Sequence, residues 1–516
     1  MQALEYRSME LKKVTQEDIE IFLNGRDPME RIVNLSYTYQ DNYVTVFYRN
    51  KQDQKCAKKE PFYPFCWATR AACLKLCDGN RDELKSLMSK YKIGVKKLIQ
   101  ENLNGEVRHE FDNGYLFKFF AKEPMSYSRF LGFFKAARNP IYSDKKDGDT
   151  QTKRESRQYL CVTPQEQFLI STGKRFFKGY DDYDQVLKMT FDLETTGLNI
   201  GKDTIEQIGV KFNRPFFGRE NGFEKIISVE GDNKEERNES ERSAIETMFK
   251  IIHTFKPDII TAHNGENFDW PFVIKDCDRL GMPIEESSAP YFGGDFIRKD
   301  KKETILKLGG EIETFMPTIV PGVIVTDSLH AVRRAQALDS SMLRADLKYV
   351  MEYSKMKKPN RVYIPGNKLS ETWNDTEYEY MFCEETGDWY KYDPSLHDTD
   401  TGEIINTKKS FIPVHGFKRE GYVPKTGRYI AERYLLDDLY ECERVEHRYN
   451  TPNFLICKML PVPYKKCTTM GTAGQWKALM LAWSYEITSQ FQCSRSQRLL
   501  RVVCQGCSRQ DLLKML

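Results

Sequence analysis

The stretch KMTFDLETTGLNI, residues 188–200, sets Asp192 and Glu194 two apart inside an apolar run. A strand alternates its faces, so Met189, Phe191 and Leu193 share one face and Thr190, Asp192 and Glu194 the other. Two carboxylates on one face repel each other. A cation or a basic group would turn that repulsion into a ligand set. Thr195, Thr196 and Gly197 supply turn chemistry, which puts both acids at the strand's end. The plain alternative is a solvated strand end with two surface acids. AHNGENFDWPF, residues 262–272, places Asp269 in the first turn of a helix just after a strand. Backbone N–H groups there favour negative charge, which explains the residue without catalysis. RYLLDDLYE, residues 433–441, sets Tyr434 and Asp438 four apart, on one helix face, with Asp437 beside them. Taken alone, that spacing reads as a wet helix face.

These residues need elements to hold them. VLKMTFDL, TIEQIGVKFN (204–213) and EKIISVE (224–230) read as strands by their β-branched and aromatic content. ESERSAIETMFKIIHTF (239–255) has apolar residues at helical spacing. PDIITAHN (257–264) is a strand ending in Asn-Gly, and FDWPFVIKDCDRLG (268–281) a helix with Pro271 in its first turn, where a missing N–H costs little. GVIVTDSLHAVRRA (322–335) runs from strand into helix. Three strands followed by alternating helix and strand predict a mixed α/β sheet. Residues 351–425 are polar, aromatic and turn-rich and read as an insertion or long loop region. YIAERYLLDDLYECERVEHRY (429–449) returns to a strong helix. Upstream, residues 1–185 form a mixed region: NYVTVFYRN (42–50) is a strand, RDELKSLMSKYKIGVKKLIQ (81–100) is helical by periodicity, and SDKKDGDTQTKRESRQ (143–158) is a charged connector.

The whole chain has 516 residues, enough for several domains, and a near-neutral net charge of +3. Charge alone therefore argues neither for nor against nucleic acid. No apolar run spans a bilayer, and MQALEYRSMELKK has no apolar signal core, so a soluble cytoplasmic protein is expected, with no membrane partner. The 13 cysteines then read as reduced thiols. Cys504 and Cys507 form a lone C-x-x-C, a weak zinc signal without two further ligands.

Taken together, Asp-x-Glu on a first strand, Asn-x-x-x-Phe-Asp at a strand-to-helix turn and Tyr-x-x-x-Asp on a late helix resemble the three exonuclease motifs of the DEDDy class. That class has a ribonuclease H-like α/β fold, a mixed sheet flanked by helices. The likeness extends to family B DNA polymerases of bacteriophage type. GRDPMERIVNLSY and FYPFCWA resemble their mixed α+β N-terminal domain. VIVTDSLHAVRRA with SSMLRADLKYVMEY resembles the segment after the second motif, and YNTPNFLICKMLPVPYKKCTTMGTAGQWKALMLAWSYE the passage into the palm. The division implied is 1–185 N-terminal domain, 186–455 exonuclease domain with the insertion, 456–486 start of the palm, and 487–516 an atypical tail.

The resemblance implies a 3′→5′ proofreading exonuclease that hydrolyses the terminal phosphodiester of a DNA single strand. It implies two Mg²⁺ or Mn²⁺ ions held by Asp192, Glu194, Asp269 and Asp438. Asp192 would bridge both ions, Glu194 and Asp438 complete the site of the attacking water, and Asp269 support the other ion. Tyr434 would orient the water, and Thr195, Asn264 and Phe268 would meet the 3′ end. Four converging carboxylates suit hard divalent cations, which can activate water and stabilise a leaving oxygen. An aromatic at 268 can stack on a base without reading sequence, or can be a core residue.

The polymerase palm motifs Asp-x-x-Ser-Leu-Tyr-Pro and Tyr-x-Asp-Thr-Asp do not occur. YDPSLHDTDTG (392–402) imitates fragments of both, but before the third exonuclease motif and without the needed Tyr. Polymerisation by this chain alone is not expected; a truncated or frame-shifted reading, or a second chain supplying the palm, accounts for the pattern. The last thirty residues turn rich in Ser, Gln, Cys and Arg, as a shifted reading or a basic tail would. The rival functions are a silent single-strand-binding module and a free-standing nuclease. The apolar helix WKALMLAWSYE (476–486) is expected to drive aggregation or partner binding.

Overall fold

The computed structural model describes residues 16–68, 73, 80–97, 117–136, 159–308, 310–393, 412–416 and 418–487. The connector at 143–158, most of the 392–402 decoy, Cys504-x-x-Cys507 and the tail lie outside these residues.

At the centre is a five-stranded mixed sheet built from β1 (Lys188–Thr195), β2 (Ile205–Phe212), β3 (Glu224–Ser228), β4 (Ile259–Ala262) and β5 (Ile324–Asp327), in the order β3-β2-β1-β4-β5. The first three strands form an antiparallel meander, while β4 and β5 add in parallel beside β1. Parallel addition needs helical crossovers. They are α1 (Lys234–Phe255), between β3 and β4, and α2 (Asp269–Arg279), which follows β4; α3 (Ser328–Gln336) follows β5. α1 starts earlier than its periodicity predicts, because the Asn233 side chain caps it by accepting from the Glu236 N–H.

One face of β1, carrying Met189, Phe191 and Leu193, is buried in a core shared with α1 and α2. The other face is not solvated. It is covered by α5 (Gly427–Met459), a helix of 33 residues that runs through Pro452. The approach is close because Gly209 of β2 stands directly opposite Asp192 in the sheet register. A Cβ there would meet Leu435 Cγ and Leu439 Cδ1 at 2.9 Å. Glycine thus lets both leucines, fully buried, sit on the strand and seats α5 beside the β1 acids. Each leucine contributes roughly 2 kcal/mol by that burial.

α4 (Leu347–Tyr353) packs against α5 through Val350, Met351 and Val445. The polar region at 351–425 is not a plain loop. It holds a short helix (Leu369–Asn374) and a four-stranded sheet; Trp373 of the helix and Tyr380, Phe382 and Trp389 of the sheet pack on Ile430, Ala431 and Tyr434 of α5.

Upstream, the predicted strand appears as Tyr43–Arg49, in a three-stranded antiparallel sheet. The helix expected over 81–100 ends at Lys90. Lys92 adopts φ 49°, and Ile93–Lys97 becomes a strand, because Ile93, buried with Phe119, pairs across to Ala121. The helix containing WKALMLAWSYE, α6 (Thr472–Ile487), is only in part the free apolar surface expected from its sequence: Trp476 is exposed. Ala478 and Leu481 are buried in the core that also takes Ile32, Val46, Phe168 and Phe454. No helix of the described residues is long and apolar enough to cross a membrane.

Candidate active site

β1 delivers Asp192 and Glu194 to its C-terminal end, and α5 lays Asp438 and Tyr434 over them. Ligand oxygens of Asp192, Glu194 and Asp438 lie within 4.8 Å of one another, close enough to hold one metal ion. Asp269 stands outside that group, yet it is the charged neighbour acting most strongly on Asp192. It opens α2, as its position after a strand implies.

The turn before Asp269 is built from the neighbouring strand. Asp327, at the end of β5, accepts the backbone N–H of Asn264 at 2.9 Å and of Glu266 at 3.0 Å, and also caps α3. Asn264 sits at φ 75°, a left-handed conformation that asparagine tolerates better than most residues. This turn tucks Asp269 inward until its carboxylate is only 2% exposed.

The electrostatics follow from crowding. Asp192 and Glu194 keep an edge toward solvent, but the walls of the site strip most of their water. Burial first, then Asp269, Asp438 and Glu194, hold the Asp192 carboxyl well above the usual carboxylate range. Burial and Asp438 do the same to Glu194. The Asp269 carboxyl is pushed up to about 7, by burial and then by Asp327. Lys348 of α4 opposes the rise at Asp192 and Glu194. Its ammonium donates to the Tyr434 hydroxyl and lies 4.4 Å from that ring's centre. Burial and the Asp438 charge push the Tyr434 phenol far above its ordinary value, which keeps it a neutral donor.

The residues present fit a divalent cation. The donors are hard oxygens that repel one another without a counter-charge. One of them, Asp269 Oδ1, is buried with no hydrogen-bond partner among the described residues, and a buried lone acceptor is costly to leave unmet.

Of the other residues singled out in the sequence, Thr195 and Asn264 are half-buried at the strand ends beside the acids. Thr195 donates to the Gly197 carbonyl at 2.7 Å. Phe268 is half-buried, packed on the sheet core with its ring 5.4 Å from Phe272. Asp437, adjacent in sequence to Asp438, is occupied elsewhere. It accepts from Lys358 at 3.1 Å and from the Val362 N–H at 3.0 Å. Sequence reasoning missed Lys348, Arg361 and Asp327. Lys348 and Arg361 sit in ordinary polar segments, and only the fold brings them to the acids.

Comparison with known proteins agrees with this architecture. The model of the exonuclease domain of DNA polymerase family B matches residues 172–345. DNA polymerase 1 of Pyrococcus abyssi is 27% identical over 134 residues, which is 26% of this chain and 15% of that protein. A DNA polymerase of Archaeoglobus fulgidus is 34% identical over 62 residues, 12% of this chain and 8% of that one. The solved family B DNA polymerase of Pyrobaculum calidifontis superposes with a TM-score of 0.52 at 16% identity, covering 89% of this chain. This chain spans 50% of the length of that structure, and the likeness there is one of fold. Residues 172–345 thus match the exonuclease domain of DNA polymerase family B in sequence, and the chain resembles a family B DNA polymerase in fold.

Proposed function

We propose that this chain is a metal-dependent 3′→5′ exonuclease of the DEDDy type, the proofreading part of a family B DNA polymerase, acting on the 3′ end of single-stranded DNA. The observation that carries this reading is the convergence of Asp192, Glu194 and Asp438 beside the unpartnered Asp269 oxygen. Those four carboxylates would hold two Mg²⁺ or Mn²⁺ ions, which when bound supply an activated water and charge to offset the leaving oxygen. The protein's own part is positioning. α5 presents the Tyr434 hydroxyl, kept protonated by its surroundings and steadied by Lys348, where it can donate to the attacking water. Asn264, Thr195 and the exposed edge of Phe268 line the approach of the 3′ nucleotide, and an aromatic there stacks on any base.

The same reading takes 1–185 as the N-terminal domain, 186–455 as the exonuclease domain with its insertion at 351–425, and 456–486 as the start of a palm. The likeness of YNTPNFLICKMLPVPYKK to the palm-entry segment supports a bacteriophage-type member. The test is a 5′-labelled single strand incubated with Mg²⁺, with Asp192→Ala/Glu194→Ala as control. Stepwise shortening from the 3′ end, lost in the double variant and in EDTA, is the expected result. Retention of the strand without shortening would make the protein a binder instead. Equal cleavage of an RNA strand would make it a general nuclease.

A further inference from the structure

We propose that Arg361 is a positioning residue of this centre, fixing Asp438 and the Tyr434 ring in the orientation in which the carboxylates take a divalent cation. The inference rests on the exonuclease reading above.

Arg361 arrives from the segment PNRVYIP (359–365), 77 residues before Asp438 in the chain. Its side chain is 0% exposed. Nη2 donates to Asp438 Oδ1 at 2.5 Å, and Nε donates to Glu441 Oε1 at 3.0 Å. Nη1 closes on the carbonyl of its neighbour Val362. The guanidinium carbon lies 4.8 Å from the centre of the Tyr434 ring. Asp438 and Glu441 are one turn apart on α5, and Tyr434 is one turn before. A single planar fork therefore spans two turns of the helix that carries half the site. Among the described residues it is the one cation ion-paired with a member of the Asp192–Glu194–Asp438 group.

The segment bearing Arg361 is itself tied down. Asp437 accepts from both Lys358 and the Val362 N–H, and Val362 and Ile364 are buried with Tyr434. The adjacent acids thus divide the work: Asp437 holds the segment, and the segment's arginine holds Asp438. The planar fork gives one bond to Asp438 and one to Glu441, so it ties the two carboxylates in a fixed relative direction, which the point charge of an ammonium cannot do. That explains why a buried arginine, costly to desolvate, stands beside a cation-binding cluster at all.

Charge and geometry predict opposite effects on removing it. A cation beside the cluster repels a divalent ion, so if Arg361 acted only by charge, its loss would tighten metal binding. If it acts by orientation, its loss weakens binding. The experiment uses the full chain and its Arg361→Met, Arg361→Lys and Glu441→Gln variants. Circular dichroism melting establishes folding. Calorimetry with Mn²⁺ reads affinity, and single-strand degradation reads kcat and KM. Arg361→Met is expected to weaken Mn²⁺ binding about 10-fold or more, the usual size for a group that orients a metal ligand, with kcat falling and KM for DNA nearly unchanged. Arg361→Lys, which keeps the charge without the fork, recovers only part of the loss. Glu441→Gln, which leaves Nε–H an acceptor, stays near wild type. Should Arg361→Met not fold, Arg361→Lys decides alone, by weaker Mn²⁺ binding at full charge. Mn²⁺ affinity equal to or tighter than wild type in both arginine variants, with kcat unchanged, overturns the proposal. A wild-type protein that binds no Mn²⁺ overturns the exonuclease reading itself.

Discussion

Asp269 keeps one buried oxygen without a donor among the described residues, and its carboxyl is pushed up to about 7. Such a raised value destabilises the metal-free fold at neutral pH. Below about pH 3 both the folded and unfolded chains keep the proton, so nothing is lost. As pH rises toward 7 the unfolded chain releases it while the folded chain does not, and stability falls. Above about 7 the full penalty applies. Asp269→Asn removes it. In EDTA at pH 8 that variant is expected to be more stable than wild type by on the order of 2 kcal/mol, with the gain vanishing below about pH 3. Added Mn²⁺ should reverse the order, since wild type offers the ion an anionic oxygen where the variant offers a neutral amide, and so gains more stability by mass action. Scanning fluorimetry across pH, with and without metal, reads both effects; a variant less stable than wild type in EDTA at pH 8 would refute the argument. At this scale the grouping of Asp192, Glu194 and Asp438 followed from the three motifs taken together, since each alone has a plain structural reading. Lys348 and Arg361 were not legible in the sequence, since a lysine or arginine in a polar segment is commonplace until the fold shows what it faces.

The elements were legible in proportion to how local their cause is. The strands of the central sheet and α1 and α2 follow from periodicity, caps and turn residues and appear within about five residues of the predicted bounds, while α5, expected over 429–449, runs on to Met459. Ile93–Lys97 was misread because its helix-compatible spacing lost to pairing with a distant strand. The sheet within 351–425 was missed for the same reason: strands of two to four residues carry too little pattern of their own. α5 runs through Pro452, a residue that ordinarily ends a helix, because Asn453, Phe454 and Cys457 beyond it are buried. The glycine at 209 is an element-scale device, since it sets the distance between α5 and the sheet. Gly209→Val would drive two methyl groups into Leu435 and Leu439. Overpacking of that kind costs about 1–3 kcal/mol. It also lifts Tyr434 and Asp438 from the β1 acids, so exonuclease rate should fall by more than the melting temperature suggests. Melting and single-strand degradation measured on the same preparation check this; a destabilised variant with undiminished rate would mean that α5 does not need its close seat.

At the scale of the molecule, the site's sheet is pinned to the upstream region by one buried charge cluster. Asp258, 0% exposed, lies just before β4. Its carboxylate accepts from Arg49 Nε at 2.6 Å and from the Leu187 N–H at 3.2 Å, and Lys55 lies 3.6 Å away. Arg49 and Lys55 flank the turn between two strands of the N-terminal sheet, and both also donate to backbone carbonyls at Lys256 and Pro257. Burial pulls the Lys55 ammonium down to about 8, so it has little tolerance for losing its acid. Around this cluster, Ile32, Val46, Phe177, Ile259, Phe454 and Tyr464 share a single core. The N-terminal region, the sheet edge and the end of α5 are therefore one packed body, and the polarity that joins them is matched only as a set. Asp258→Ala strands two buried cations, a loss that typically costs about 3–5 kcal/mol. The expected result is a large drop in melting temperature together with faster proteolytic cutting between residues 49 and 55. The carboxylate group of the active site sits at the far end of β1 from Leu187, so single-strand degradation measured well below the melting point should change much less. Proteolysis no faster than wild type would mean that the shared apolar core alone joins the two regions.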